Sequence, residues 1–190
     1  EIYMGDWSSD VCSSDLSITQ LAILVGLVSR PLLGVLALPL LAAGTMAAIY
    51  AAAFTIRGAR ETGQRKAPAG RPFDPKTAFI FVAVVGAALV VSAVLTQWLG
   101  SRGLLLASTV AGLADSHAPA ISAASLVAGG KIDMDLAAMA VLAGLSTNAL
   151  SKIVVAFTLG DRRYALELAP GILLSVIAAW AALSGLRLLD

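Results

Sequence analysis

Charged residues are scarce in this 190-residue sequence, at 13% of the chain against about 25% in soluble domains. Hydrophobic residues make up 58%, and the mean hydropathy is +0.87. The apolar residues form long continuous runs and do not alternate with polar ones, which argues against a transmembrane β-barrel. The composition therefore predicts an all-α fold, a polytopic bundle of transmembrane helices in a lipid bilayer.

Cysteine and histidine are almost absent, with one residue of each. The cysteine, Cys12, lies in residues 1–16, which resemble a translated sequencing-library adapter, and we interpret this leader as foreign to the protein. An acidic, Ser-rich amino-terminal tail is the alternative. With one histidine and no usable cysteine, we expect no zinc site. No nucleotide-binding or metalloprotease motif is present, so we expect no catalytic residues and no cofactor.

Turn-forming and charged residues divide the rest of the chain into apolar runs. Residues 17–29 are shorter than the ~20 that a span needs, so they form either an interfacial helix or, as we prefer, the end of a span whose beginning is missing. Residues 17–190 thus form one transmembrane domain, which we expect to be a fragment lacking the upstream half of a larger protein. About five complete spans are predicted, at residues 31–56, 77–99, 104–128, 136–159 and 164–188.

Basic residues concentrate in the loop at residues 57–76, which has six Lys or Arg against two acidic residues. By the positive-inside rule this loop is cytoplasmic, in a bacterial inner membrane, and we interpret it as a topology signal and not as a nucleic-acid site. The rule does not decide the second half of the chain. If residues 104–128 cross the membrane, Lys131 and Arg187 lie on the cytoplasmic side with the loop. If residues 104–128 re-enter, Arg162 and Arg163 lie there instead. The number of cytoplasmic basic residues is the same in both cases. The length of the run slightly favours crossing.

Polar residues interrupt the run at residues 112–119, Gly-Leu-Ala-Asp-Ser-His-Ala-Pro. A charge such as Asp115 costs about 2.5–3.5 kcal/mol at the centre of a transmembrane helix. Gly112 and Pro119 loosen the helix on either side of it. This pattern predicts a broken or re-entrant helix and a functional site at the break.

A second polar group lies near the middle of the span at residues 136–159. Asn148 and Lys152 are four residues apart and therefore share a helix face, with Ser151 beside them. We hypothesise that Asp115 lies opposite Lys152 or Asn148, and that these residues, with Ser116 and Ser151, bind a small ion or solute. Two alternatives stay open: Lys152 snorkels to the surface, and Asn148 only holds helices together.

The single histidine, His117, follows Asp115 and Ser116 directly. Neighbours along a helix point in different directions, so we do not expect these three residues to form a catalytic triad. We expect His117 to be solvated or interfacial. An intramembrane hydrolase, using Ser116 or Ser122 with His117, is retained only as a third hypothesis.

Two segments resemble a known family. The Gly-Leu-Ala-Asp at residues 112–115 and the Asn-x-x-x-Lys helix at residues 146–152 are similar to the bacterial membrane family called domain of unknown function 4010. Members often carry an upstream MgtC/SapB-type domain associated with magnesium homeostasis, which is absent here. Where the family usually has a second acidic residue, this sequence has His117.

Two functions remain in view. The first is a fragment of a transporter or ion-permeation protein with a polar site at the bilayer midplane. The alternative is a membrane scaffold or regulatory subunit that packs through small-residue helix faces, such as Gly44, Ala48 and Ala52. A homo-oligomer is compatible with both.

Overall fold

The computed structural model describes residues 17–60, 103–159 and 162–189, and scattered helical residues between 79 and 94. Every regular element in these parts is a helix, which confirms the all-α prediction. Residues 1–16, the loop beyond residue 60 and most of the span predicted at 77–99 lie outside the described residues. The helices with defined bounds are α1 (Ser17–Val28), α2 (Arg30–Arg60), α3 (Leu104–Gly112), α4 (His117–Ala128), α5 (Met134–Leu159) and α6 (Arg162–Leu189).

Three of these helices contain segments long and apolar enough to span a membrane. The segments are Arg30–Ala53, Met134–Thr158 and Ala165–Leu188. They coincide within a few residues with the spans predicted at 31–56, 136–159 and 164–188. The protein is therefore a polytopic helical membrane protein.

The helix boundary predicted at Pro31 is only a brief interruption. The Ser29 amide donates to the Val25 carbonyl at 2.8 Å, and the Leu33 amide donates to the Ser29 carbonyl at 3.1 Å. Pro31 lies in the first turn of α2, where its missing amide hydrogen is tolerated. Consequently α1 leads directly into α2 with a one-residue break.

The three spanning helices pack side by side. Helix α6 is antiparallel to both others, because its end shares a buried cluster with the beginning of α2, and Arg187 near that end donates to the Asp135 carbonyl of α5 at 3.3 Å. Near one end of the pair, the Tyr50 hydroxyl of α2 donates to the Glu167 carbonyl of α6 at 2.7 Å. Along α5, Trp180 Nε1 donates to Ser146 Oγ at 2.9 Å. The beginnings of α2 and α5 and the end of α6 therefore lie on one side of the bundle.

The hydrophobic core lies toward that side. Small residues dominate where α4 meets α5, and they allow the helix backbones to approach closely. Large apolar side chains on the outside, such as Leu41 and Ile177, are more than half exposed in the described part of the chain, as expected of a surface that faces lipid. The buried cluster includes Leu21, Val25, Leu32, Leu36, Ala120, Ala123, Ala124, Ala137, Ala138, Val141, Ala179 and Leu183.

Candidate functional site at the tip of a re-entrant hairpin

The predicted break is present between α3 and α4. Residues 113–116 are not helical, and the last turn of α3 tightens as it ends. The Leu113 amide donates to the Val110 carbonyl at 3.2 Å, and the Asp115 amide donates to the Ala111 carbonyl at 2.9 Å. These bonds satisfy carbonyl groups that the end of a helix would otherwise leave without partners.

The chain reverses direction at this break. The Ser108 carbonyl lies 3.2 Å from where a Cβ on Gly144 would stand, and further along α3 the Leu113 carbonyl accepts a 3.0 Å hydrogen bond from Ser151 Oγ. Helix α3 thus runs in the same direction as α5. Pro119 returns to within 3.1 Å of the same point on Gly144, and the short connection at 129–133 then joins α4 to the beginning of α5.

Helices α3 and α4 therefore form a re-entrant hairpin packed against α5. The crossing arrangement that the length of residues 104–128 favoured is not the one found. Length sets how far an apolar run can reach, but the turn at the break decides whether the second half continues or returns.

The hairpin tip reaches the middle of the α5 span. Gly112 contacts Gly144 and Thr147, which lie about 15–20 Å from Met134 at 1.5 Å per residue. The approach is so close that a Cβ on Gly112 would overlap Thr147 Oγ1 and the Gly144 carbonyl, and would lie 2.7 Å from Gly144 Cα. Glycine at position 112 is therefore needed to seat the tip.

Asp115 organises the tip through two hydrogen bonds within its own segment. Its Oδ1 is 2.7 Å from His117 Nδ1, and its Oδ2 accepts the Ala118 amide at 3.1 Å. The second bond satisfies an amide at the beginning of α4 and places negative charge at the positive end of that helix. Asp115 stays partly exposed, with 44% of its side chain accessible against 23% for His117.

This arrangement differs from what was expected of His117. The expectation that neighbours diverge assumed a helix, but Asp115 and Ser116 are not helical, so the carboxylate can fold back onto the imidazole ring. His117 is also not fully solvated, because its Nε2 is buried without a hydrogen-bond partner among the described residues. Ser108 Oγ on α3 is in the same condition.

The other predicted site residues lie on α5 and at the break. Ser116 is buried, and Ser151 contacts the tip through the Leu113 carbonyl. Asn148 is half-buried and Lys152 is exposed. The pairing of Asp115 with Asn148 or Lys152 stays a prediction.

Two contacting residues received no role from the sequence: Thr147, which packs on Gly112, and Ser108, whose carbonyl approaches Gly144. Gly144 is the residue from which these contacts could have been predicted in the sequence. It lies three residues before Thr147 and seven before Ser151, so the three share a helix face on which a glycine allows close approach.

The tip combines groups suited to polar ligands. A carboxylate, hydroxyl groups and the ends of two half-helices meet midway along a span, as in the broken helices of transporters. Within the part of the chain that the structure describes, no three His, Cys, Asp or Glu residues cluster as metal ligands.

These features define a class, the polytopic helical membrane proteins with a re-entrant hairpin. A family model described as domain of unknown function (DUF4010) matches residues 11–160. The chain belongs to this family, as the resemblance of residues 112–115 and 146–152 indicated. No curated protein and no solved structure matches the chain.

Proposed function

We propose that this protein moves a small ion across the bacterial cytoplasmic membrane through a site at the hairpin tip. The observation that supports the proposal is the placement of Asp115 and a non-helical segment midway along the α5 span. Irregular backbone at this depth is tolerated only where protein buries it or where it lines a water-filled cavity. An ionisable residue there marks a substrate pathway by default.

The proposed site has two walls. The tip supplies Asp115 and Ser116, and α5 supplies Asn148, Ser151 and Lys152. The Ser151–Leu113 hydrogen bond joins the walls. Asn148 and Lys152 lie three residues before and one residue after Ser151, so they border this contact. Asp115 remains partly accessible after making its two hydrogen bonds, so a ligand can reach its remaining lone pairs.

The hairpin arrangement supports one of the two groupings of basic residues considered for the second half of the chain. Because α2 and α6 are antiparallel, Arg57 and Arg60 lie at the same end of the bundle as Arg162, whereas Lys131 and Arg187 lie at the other end. By the positive-inside rule the first end is cytoplasmic. The proposal therefore has the hairpin entering from the outer face.

Ion-driven currents in proteoliposomes test the proposal. Steps of Na⁺, K⁺, Mg²⁺ and Cl⁻ are applied to vesicles adsorbed on a solid-supported membrane. We expect at least one ion to evoke a current, and Asp115→Asn to reduce it about tenfold, because a hydrogen bond to a charged group contributes roughly 1.5–3 kcal/mol. We also expect Lys152→Met to reduce the current.

Asp133→Asn is the matched control, since Asp133 is an exposed carboxylate in the connection between α4 and α5. It should leave the current unchanged. Currents no larger than those of protein-free vesicles, or equal currents in the wild type and in both Asp115→Asn and Lys152→Met, would contradict the proposed site.

The scaffold alternative has one observation in its favour. Gly44 is half-exposed and Ala48 and Ala52 are exposed in the described part of the chain, and a Cβ on Gly44 would meet nothing within 4 Å. A scaffold that binds a partner helix on this face should lose its assembly in Gly44→Leu, measured by mass photometry in detergent, while Asp115→Asn leaves assembly intact.

A further inference from the structure

We infer that His117 is a proton-binding site and that the protein exchanges a proton with its substrate during transport. The inference rests on the proposed function and adds the coupling ion to it. It is carried by the Asp115–His117 hydrogen bond at the hairpin tip and by Nε2 of the same ring, which is buried and has no hydrogen-bond partner among the described residues.

The hydrogen bond to Asp115 fixes the tautomer of His117. An ionised carboxylate only accepts hydrogen bonds, so Nδ1, at 2.7 Å from Asp115 Oδ1, carries the hydrogen. In the neutral ring Nε2 then carries no hydrogen but a lone pair, and a proton binds to that lone pair. The carboxylate is already in place to balance the positive charge of the resulting imidazolium.

The surroundings of Nε2 are unusual. Buried polar atoms nearly always have a hydrogen-bond partner, and those that do not call for an explanation such as water, an ion or a catalytic role. In the described parts of the chain, two buried side-chain atoms lack one: His117 Nε2 and Ser108 Oγ. They belong to the two arms of one hairpin, and His117 Nε2 is the one of the two whose ring also contacts Asp115.

Binding of a proton at Nε2 gives a physical reason for the hairpin tip to move. A protonated Nε2 has a hydrogen to donate, and a buried donor without an acceptor is costly. Among the described residues the closed tip offers Nε2 no acceptor. Protonation therefore favours exposure of the His117 ring to water, which couples the charge of His117 to movement of the tip.

In the described helices that pack around the hairpin, few other charges are present. Helices α1 and α3 have no titratable residue, and within α5 the charged residues are Asp135 and Lys152. Asp135 is at the beginning of α5, far from the tip, and its Oδ1 lies 3.7 Å from Arg187 Nη2. Lys152 follows Ser151, whose hydroxyl contacts the Leu113 carbonyl at the tip.

The proton cycle needs no further reactant. A hydronium ion at the outer face gives a proton to the Nε2 lone pair, which forms an N–H bond and leaves a water molecule. Release of that proton to water at the cytoplasmic face restores the lone pair. Asp115 and the Nδ1 hydrogen are unchanged at the end.

Proton movement is measured in vesicles loaded with the pH-sensitive dye pyranine, during the ion step that evokes a current. We expect internal pH to change with the current. His117→Asn should remove the pH change, because its amide can still donate to Asp115 but cannot take up a proton. Lys131→Gln, an exposed cation between α4 and α5, is the control and should match the wild type.

A current with no pH change in the wild type, or an unaltered pH change in His117→Asn, would overturn the inference and leave the proposed function standing. A second measurement is independent of flux, since the chain has a single histidine. With ¹⁵N-labelled histidine in lipid, we expect Nδ1 to be protonated throughout and Nε2 to gain a proton on acidification.

A spectrum in which Nε2 carries the proton of the neutral ring, or in which no second proton binds, would refute the inference even if transport is found. If no ion moves at all, the proposed function fails, and the spectrum still decides whether His117 binds a proton.

Discussion

At the scale of single residues, the hairpin depends on two glycines that let backbones meet. Gly112 rests on Gly144 and Thr147, while Gly144 is approached by Pro119 and by the Ser108 carbonyl. In a membrane, close packing and hydrogen bonds must hold helices together, because lipid provides no hydrophobic force between them. Side chains larger than hydrogen at these positions would therefore separate the hairpin from α5.

Gly112→Ala should destabilise the protein. The added methyl group meets the backbone of Gly144, which cannot turn away as a flexible side chain could, so overpacking should cost about 1–3 kcal/mol. We expect a lower midpoint of thermal unfolding in detergent, followed by intrinsic fluorescence, together with a loss of current. Gly34→Ala is the control, because its Cβ meets nothing within 4 Å and alanine favours the helix. Equal midpoints in the two variants would show that Gly112 does not seat the tip.

At the scale of elements, the position of the break was predictable and its direction was not. Gly112, Asp115 and Pro119 marked the interruption because each disfavours a continuous transmembrane helix. The reversal depends on contacts between residues distant in sequence, such as Ser151 with Leu113. The Asp115–His117 bond was missed for a related reason: helical geometry was assumed at residues that are not helical.

Ser151→Ala should loosen the hairpin tip without unfolding the bundle. It removes one hydrogen bond, worth about 0.5–1.5 kcal/mol, so the amides of residues 113–116 should exchange with deuterium roughly 2- to 10-fold faster. Ser125→Ala is the control on α4, since its hydroxyl donates only locally, to the Ile121 carbonyl at 2.8 Å. Unchanged exchange in Ser151→Ala would mean that the Leu113 contact does not hold the tip.

At the scale of the whole molecule, the return of the hairpin decides which basic residues lie at the same end of the bundle. The basic ends of α2 and α6 are together, and the hairpin base lies with the beginning of α5 at the other end. The sequence contained these charges, but their grouping required knowing whether residues 104–128 return.

Cysteine labelling in intact spheroplasts tests this topology. In a Cys12→Ser background, Arg102→Cys and Lys131→Cys flank the hairpin, and Arg162→Cys begins α6. A membrane-impermeant maleimide should label the first two in intact cells and the third only after permeabilisation, because both ends of a re-entrant hairpin lie on one face. Labelling of positions 102 and 131 from opposite faces would show that residues 104–128 cross. If both positions are labelled only after permeabilisation, the hairpin is still re-entrant but the orientation of the protein is reversed. In that case only the positive-inside argument is wrong.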